Sequence, residues 1–264
     1  GIVQEIWLGE MYTLTPQEAQ SQLDATEVEL AKVMAFVDEA PAGASAEETS
    51  VNKMLAAEQY IVLNYDYDQS LSIHDAYSFF AQKTGVCQAY MLAYQIILDR
   101  LDIINSTVVN TNHTWNMVKL DSGWYHIDVT WDDPTTNGST NADALTDSLG
   151  YSAHQNFLRS DAGITETGHS GWTTSKTHTA DSTSYDSSWW RLSKPGSYAY
   201  DSAIIPSDGV WYYETGDKIY KRTGDGTVTQ IATVPDAKWY VSTTSDSGSY
   251  YAHYGRIALY DGRL

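Results

Sequence analysis

The sequence predicts an α+β protein, and three observations predict it. Helical periodicity runs through residues 14–101, an alternating pair of segments follows at 113–131, and residues from about 195 onward break into short β-rich runs. The first helix falls within residues 14–40. Thr15, Pro16 and Glu18 read as an N-cap, a proline at the first helical position and a capping-box glutamate. Leu23, Val28, Leu30, Val33, Met34 and Val37 give it an apolar stripe, and Pro41-Ala42-Gly43-Ala44-Ser45 ends the pattern. A second helix covers Ala46–Asn64, with Val51, Met54, Leu55, Tyr60 and Ile61 turned inward. The third has the clearest spacing: Tyr90, Met91, Tyr94, Ile97, Leu98 and Leu101 share a face, and the helix starts at or near Cys87, just after Thr84-Gly85. His113–Leu120 and Trp124–Trp131 then alternate as strands around Asp121-Ser122-Gly123, a hairpin connection.

The remainder is punctuated by turn residues. Pro134, Gly138, Gly150, Gly163, Gly168 and Gly171 interrupt a Ser/Thr/Asp/Asn-rich stretch, with a helical hint around Tyr151–Leu158. A stretch this long inside a compact domain reads as an ordered excursion over one face, a candidate cleft wall. Beyond Pro195, Val210–Tyr213, Lys218–Lys221 and Val228–Ile231 read as short strands. Tyr212, Tyr213 and Ile219 recur as Tyr250, Tyr251 and Ile257, a constant shift of 38 positions; this is either a β-hairpin repeat or one small β-region. The expected division is a domain over 1–190 and a β-rich region over 195–264.

With 15 basic and 34 acidic residues, the formal net charge is −19, a field that repels phosphate backbones and argues against nucleic acid as a partner. The single cysteine, Cys87, excludes an internal disulfide. No apolar run approaches the roughly 18 residues that span a bilayer. The start at Gly1 reads as a trimmed or processed form, and abundant Ser, Thr, Tyr, Asn and Gly with little Lys reads as a bacterial exported or cell-surface protein whose signal peptide lies outside this sequence.

The chemistry-bearing residues centre on Cys87. A thiol attacks a carbonyl as thiolate, and a helix N-terminus or an adjacent imidazolium lowers its pKa. Cys87 is placed for the first effect, and the N–H groups of the same turn, that of Cys87 foremost, can hold an oxyanion. Antiparallel pairing across the hairpin brings residues near 113 opposite residues near 128–130, so His113 and Asp128 can meet directly or diagonally. A carboxylate bonded to one ring nitrogen fixes the tautomer and leaves the other for the thiol. His126 shares the face of Asp128 and is a rival base on spacing alone. His74, His154, His169, His178 and His253 read as surface or loop histidines without metal-ligand spacing, and Asp66-Tyr67-Asp68 is too short for a calcium loop.

Gly85-Val86-Cys87-Gln88-Ala89-Tyr90, His113-Thr114-Trp115-Asn116 and Trp124 through Pro134 together resemble the core of transglutaminase-like domains, especially bacterial members, within the papain-like thiol superfamily. The resemblance covers roughly residues 55–135, with Tyr67-Asp68 and Asp75-Ala76-Tyr77 similar to the upstream segment. It implies Cys87 as nucleophile, His113 rather than His126 as base, and Asp128 as the residue orienting the base. Gln82, Tyr67 and Trp115 are candidates for oxyanion or supporting roles. Many bacterial members carry Gly where this chain has Ala89, a methyl expected to narrow the approach beside the sulfur. The implied fold is a papain/transglutaminase-like core with N-terminal helices, a nucleophile helix and an antiparallel sheet. The implied activity is thiol-dependent hydrolysis or acyl transfer on peptide or glutamine amides, of a cysteine protease, amidase or acyltransferase, with hydrolysis slightly favoured. The alternatives are a cross-linking transglutaminase and a catalytically silent surface-binding module. No cofactor or metal is expected. The expected partners are protein or peptide substrates, cell-wall peptide among them, with surface glycan contact through the C-terminal region.

Overall fold

In a computed structural model of the chain, residues 14–134, 151–173, 177–192, 201–234, 237–242, 247–252 and 257 are described. Pro195, His253 and the chain end lie outside them. The fold is α+β. Helix α1 (Pro16–Val37) opens with the expected capping box between Thr15 and Glu18. Only its C-terminal half meets the core: Leu30, Val33 and Val37 are buried, whereas Leu23 and Val28 are each 60% exposed, so the expected stripe runs past the body it packs on. Helix α2 (Ala46–Asn64) is capped by Ser45 and buried on several faces, with α1, β6 (Tyr151–Ser152) and β9 (Ile205–Ser207) all against it. Its polar Gln59 is satisfied at both ends, donating to Ser152 Oγ at 2.9 Å and accepting from the Ile204 N–H at 2.8 Å.

Strands β1 (Asp66–Tyr67) and β2 (Thr84–Gly85) pair in parallel, with Tyr67 opposite Gly85. Helix α3 (Ala76–Gln82) lies between them, and α4 (Cys87–Arg100) follows directly. Gly85 lets these pieces meet: a Cβ there would lie 2.6 Å from the Ala89 methyl and 2.8 Å from the Phe79 ring. The Ala89 methyl is therefore fully buried under the strand, and it does not narrow the approach to the sulfur as the sequence led us to expect.

Four antiparallel strands form the main sheet in the order β3 (Asn105–Val109), β4 (Thr114–Leu120), β5 (Gly123–Ile127), β7 (Phe157–Arg159). The β4–β5 register pairs Leu120 with Gly123 and Asn116 with Ile127. Central β4 is covered on both faces. Val118 and Leu120 join the helical core, while Trp115 and Met117 join a smaller cluster with Val108, Ile164, Trp172 and Ala180. That second cluster is the excursion expected over one face. It supplies β7 and α6 (Asp161–Glu166). The helical hint at Tyr151–Leu158 is not realised; strands β6 and β7 stand there, because their backbones complete sheets with β8 (Asp201–Ser202) and β5. Strand β5 also ends earlier than alternation suggests. After Ile127, Asp128 caps the short helix α5 (Val129–Asp132), its Oδ1 accepting from the Thr130 and Trp131 N–H groups at 3.1 and 3.3 Å.

In the C-terminal part, β9, β10 (Val210–Thr215), β11 (Lys218–Thr223) and β12 (Val228–Thr233) form an antiparallel meander, and β13 (Ala237–Ser242) pairs with β14 (Ser247–Ala252). No helix of the described residues is long and apolar enough to cross a membrane.

Candidate functional site

Three segments bring the site together. The parallel β1–β2 pair delivers the chain to the N-terminus of α4, so Cys87 is its first residue, half-buried. Val86, the N-cap, makes no side-chain capping bond, and the first-turn N–H of Gln88 faces the sulfur together with the N–H of Thr114 from β4. The β3–β4 connection positions the imidazole. Asn110 Oδ1 accepts from the N–H of Asn112 and of His113, at 3.0 and 2.8 Å, and its Nδ2 donates to Ser170 O. This fixes the backbone on which His113 projects. The β5–α5 corner supplies Asp128, buried to 1% exposure.

His113 Nε2 lies 2.6 Å from Asp128 Oδ2, and the ring shares a cleft with the Cys87 thiol, with which it interacts electrostatically. An imidazole held at Nε2 by a carboxylate presents its remaining nitrogen to the sulfur. The indoles of Trp115 and Trp131 both stack against the ring, with centroids 5.5 and 5.3 Å from that of His113. Burial opposes charge on all three groups, and their mutual attraction overcomes it. His113 is raised to about 9 against desolvation by the Asp128 charge and hydrogen bond, with Cys87 adding to the effect. Asp128 is lowered to about 2 against its own burial by His113 and His169. The Cys87 thiol is lowered despite burial by the His113 imidazole and the Thr114 and Gln88 N–H groups. The arrangement favours a thiolate–imidazolium pair.

The thiol opens on a cleft of about 400 Å³ lined by Tyr67, Leu71, His74 and Val86 on one wall and by Val109–Thr114 on the other. Asp68 shapes the first wall, accepting from the backbone N–H groups of Ser70, Ser72 and Ile73, which leaves Leu71 at a φ of 57°. A second cleft of about 290 Å³, lined by Tyr67, His113, Thr130, Trp131 and Asp133, reaches the same imidazole from the α5 side.

The sequence-derived candidates fare unequally. Cys87, His113 and Asp128 come together. His126 is buried away from the thiol: its Nδ1 accepts from Trp115 Nε1 at 3.0 Å and its Nε2 lies 2.9 Å from Asp161 Oδ1. The Trp115 indole N–H is thereby committed, so Trp115 supports the His113 ring and cannot serve an oxyanion. Tyr67 lines both clefts, and its phenol is raised by burial and by the neighbouring Cys87 charge. Gln82 is exposed at the end of α3, where the chain turns at Lys83, and it does not line the cleft. Among the histidines read as surface or loop residues, His74 is exposed and His178 stacks on Trp124, whereas His154 and His169 are buried. His169 Nε2 lies 2.7 Å from Asp128 Oδ2, the oxygen that His113 also uses. The His113, Asp128 and His169 donor atoms lie within 4.8 Å of one another, a convergence that these two hydrogen bonds explain without an ion. Asn110, Gln88 and His169 are the site residues that sequence reasoning missed. Asn110 had a legible signal, as an Asx residue just before a strand, and His169 had none.

Residues 36–129 match the transglutaminase-like superfamily. They form a transglutaminase-like core. The match spans α2 through β5 and ends one residue past Asp128, so the whole Cys87–His113–Asp128 cluster lies inside it. Among solved structures, the crystal structure of a TGase is similar over 50% of this chain, at 15% identity and a TM-score of 0.37. The similarity spans 39% of that protein's length. No curated protein matches the chain. The transglutaminase-like core thus ends where α5 begins, and His169 and Trp131 lie beyond it.

Proposed function

We propose that the protein is a thiol-dependent hydrolase or acyltransferase acting on peptide or glutamine amide bonds. The observation that carries this reading is the His113 imidazole, 2.6 Å from the Asp128 carboxylate and sharing the cleft of Cys87, whose thiol pKa it lowers. In the proposed reaction the Cys87 thiolate attacks the amide carbonyl and a C–S bond forms. The developing oxyanion is met by the N–H groups of the first turn of α4. The amide C–N bond then breaks, and ammonia or an amine leaves with the proton of the His113 imidazolium, giving a thioester. His113 next takes a proton from water or from a second amine as that nucleophile attacks the thioester, and the thiolate is released. Asp128 keeps the imidazole oriented and supports its charge. The exported or cell-surface setting read from composition points to a protein or cell-wall peptide as substrate.

The second cleft favours the transamidating alternative. It shares Tyr67 and His113 with the thiol cleft and offers a Trp131 face that is 44% exposed together with the Asp133 carboxylate, groups that suit an incoming alkylammonium. A glutamine peptide supplied with and without a primary amine separates the readings. Ammonia release that does not need the amine is expected for a hydrolase, and amine adduct for a transamidase. Cys87→Ser and His113→Ala should each reduce either product by about a thousandfold or more. Full product formation by Cys87→Ser would overturn the proposal.

A further inference from the structure

The proposed thiol site holds a second imidazole that the reaction above does not use. His169 lies in the excursion beyond the transglutaminase-like core and is 1% exposed. Its Nε2 reaches Asp128 Oδ2 at 2.7 Å, while His113 Nε2 reaches the same oxygen at 2.6 Å. The other carboxylate oxygen is occupied by the Thr130 and Trp131 N–H groups. Above pH 4 the carboxylate only accepts, so His169 Nε2 carries a proton in this contact. On the far side of the ring, Nδ1 lies 3.1 Å from Thr167 Oγ1, and the Trp131 and Trp115 rings pack at centroid distances of 4.0 and 4.7 Å. The ring therefore has one orientation, aimed at the carboxylate that supports His113.

We propose that His169 is a positioning residue for this site: by sharing Asp128 Oδ2 it holds the carboxylate in place and limits how strongly Asp128 stabilises the His113 imidazolium. The inference rests on the thiol-site reading. A carboxylate oxygen divided between two donors gives less of its charge to each, so His113 is less basic than it would be with Asp128 to itself. The other titratable or charged groups facing His113 are Cys87 from α4, Tyr67 from β1, His74 across the cleft and Asp133 from the end of α5; Asp132 stands behind Asp128. None of them contacts Asp128 Oδ2 as His169 does among the described residues.

The test is the pH profile of Cys87 alkylation by iodoacetate in the full chain. The negative charge of this reagent makes the rate depend on thiolate and imidazolium together, so the alkaline limb reports His113. His169→Phe keeps a ring but removes the donor, and it should move that limb upward by roughly half a unit to one unit. His169→Gln retains an N–H donor and should leave the limb near its wild-type position. A limb that stays put, or moves down, in His169→Phe overturns the inference, whatever happens to the absolute rate. Should the variants fail to fold, nitrogen NMR of the wild-type imidazoles decides: a protonated, hydrogen-bonded Nε2 on both His113 and His169 is expected, and an unprotonated His169 Nε2 overturns it. A wild-type rate that rises like that of a simple thiol, with no alkaline limb, instead contradicts the thiol-site reading itself.

Discussion

At the scale of single residues, electrostatics decides what Cys87 and His113 can do. The Asp128 charge and hydrogen bond hold the imidazolium of His113 up to about 9 in spite of burial. Its folded value is above its unfolded one, so the stability it contributes is fully present below about 6.5 and is lost as pH rises through about 9. Asp128 has the opposite sign. Lowered to about 2, it contributes stability above its ordinary value of 3.8 that is lost as pH falls through about 2. Asp128→Asn preserves a good capping residue for α5 but removes the charge. The variant should lower Tm more at pH 6 than at pH 10, and the alkaline limb of thiolate reactivity should fall toward the ordinary imidazole value of about 6.5. Equal loss of Tm at both pH values would mean that the charge of Asp128 contributes nothing to the pair. Cys87 carried a local signal at the start of a helix and strand pairing put His113 near Asp128, but only the resemblance to transglutaminase-like domains chose His113 over His126. His169 was not readable, because its role depends on where a Gly-punctuated loop returns, and nothing in local periodicity encodes that.

At the scale of elements, the entry to α4 is the part most sensitive to shape. Gly85 lies between the Ala89 methyl and the Phe79 ring, each closer than 3.0 Å to where a Cβ would stand. Gly85→Ala should destabilise the fold by about 1–3 kcal/mol, as overpacked interiors do, and should slow alkylation of Cys87 by tilting the first turn of α4. Denaturant unfolding read alongside the alkylation rate checks both. Unchanged stability would show that the helix entry has slack. Helices α1, α2 and α4 were legible because capping residues and the 3.6-residue period act locally. The end of β5 was misread because alternation continues through Asp128–Trp131 while the aspartate side chain bonds to its own following backbone, a competition that a period cannot register. The helical hint at Tyr151–Leu158 failed for a related reason. Strand β7 forms because the β5 edge stands beside it, a tertiary cause.

Across the whole molecule, a buried polar junction ties the helices to the excursion. Glu58 of α2 and Asp132 of α5 face each other at 0% exposure, near the Arg191 guanidinium. Asp132 also accepts from the Asn156 side chain and backbone, and Arg191 donates to the carbonyls of His154, Phe157 and Tyr185. Desolvation and mutual repulsion raise Glu58 well above the usual carboxylate range, and burial raises Asp132 to about 6. Acids raised on folding contribute stability at low pH that is lost as pH climbs through their folded values. The wild-type Tm should therefore fall as pH rises from about 4 to about 6, between the ordinary and the folded value of Asp132, and Glu58→Gln should flatten that fall and raise Tm at pH 8. A Tm lower than wild type at pH 8 would mean that the second charge is needed to hold Arg191. The order of the long-range pieces, with the excursion closing one face of β4 and the meander seated on α2, was legible only as a shift in composition. Burial such as that of Gln59 between Ser152 and Ile204 joins residues far apart in sequence.

The central claim is that Cys87 and His113 form an ion pair supported by Asp128. Its most direct test is the second-order rate of iodoacetamide alkylation of Cys87, followed from pH 4 to pH 10 in the wild type and in His113→Ala. The account requires fast alkylation well below the ordinary thiol value of about 8.5 in the wild type, and loss of that low-pH reactivity in His113→Ala. A wild-type profile with a single rise near 8.5, matched by the variant, would contradict it and leave a binding module with an incidental cysteine.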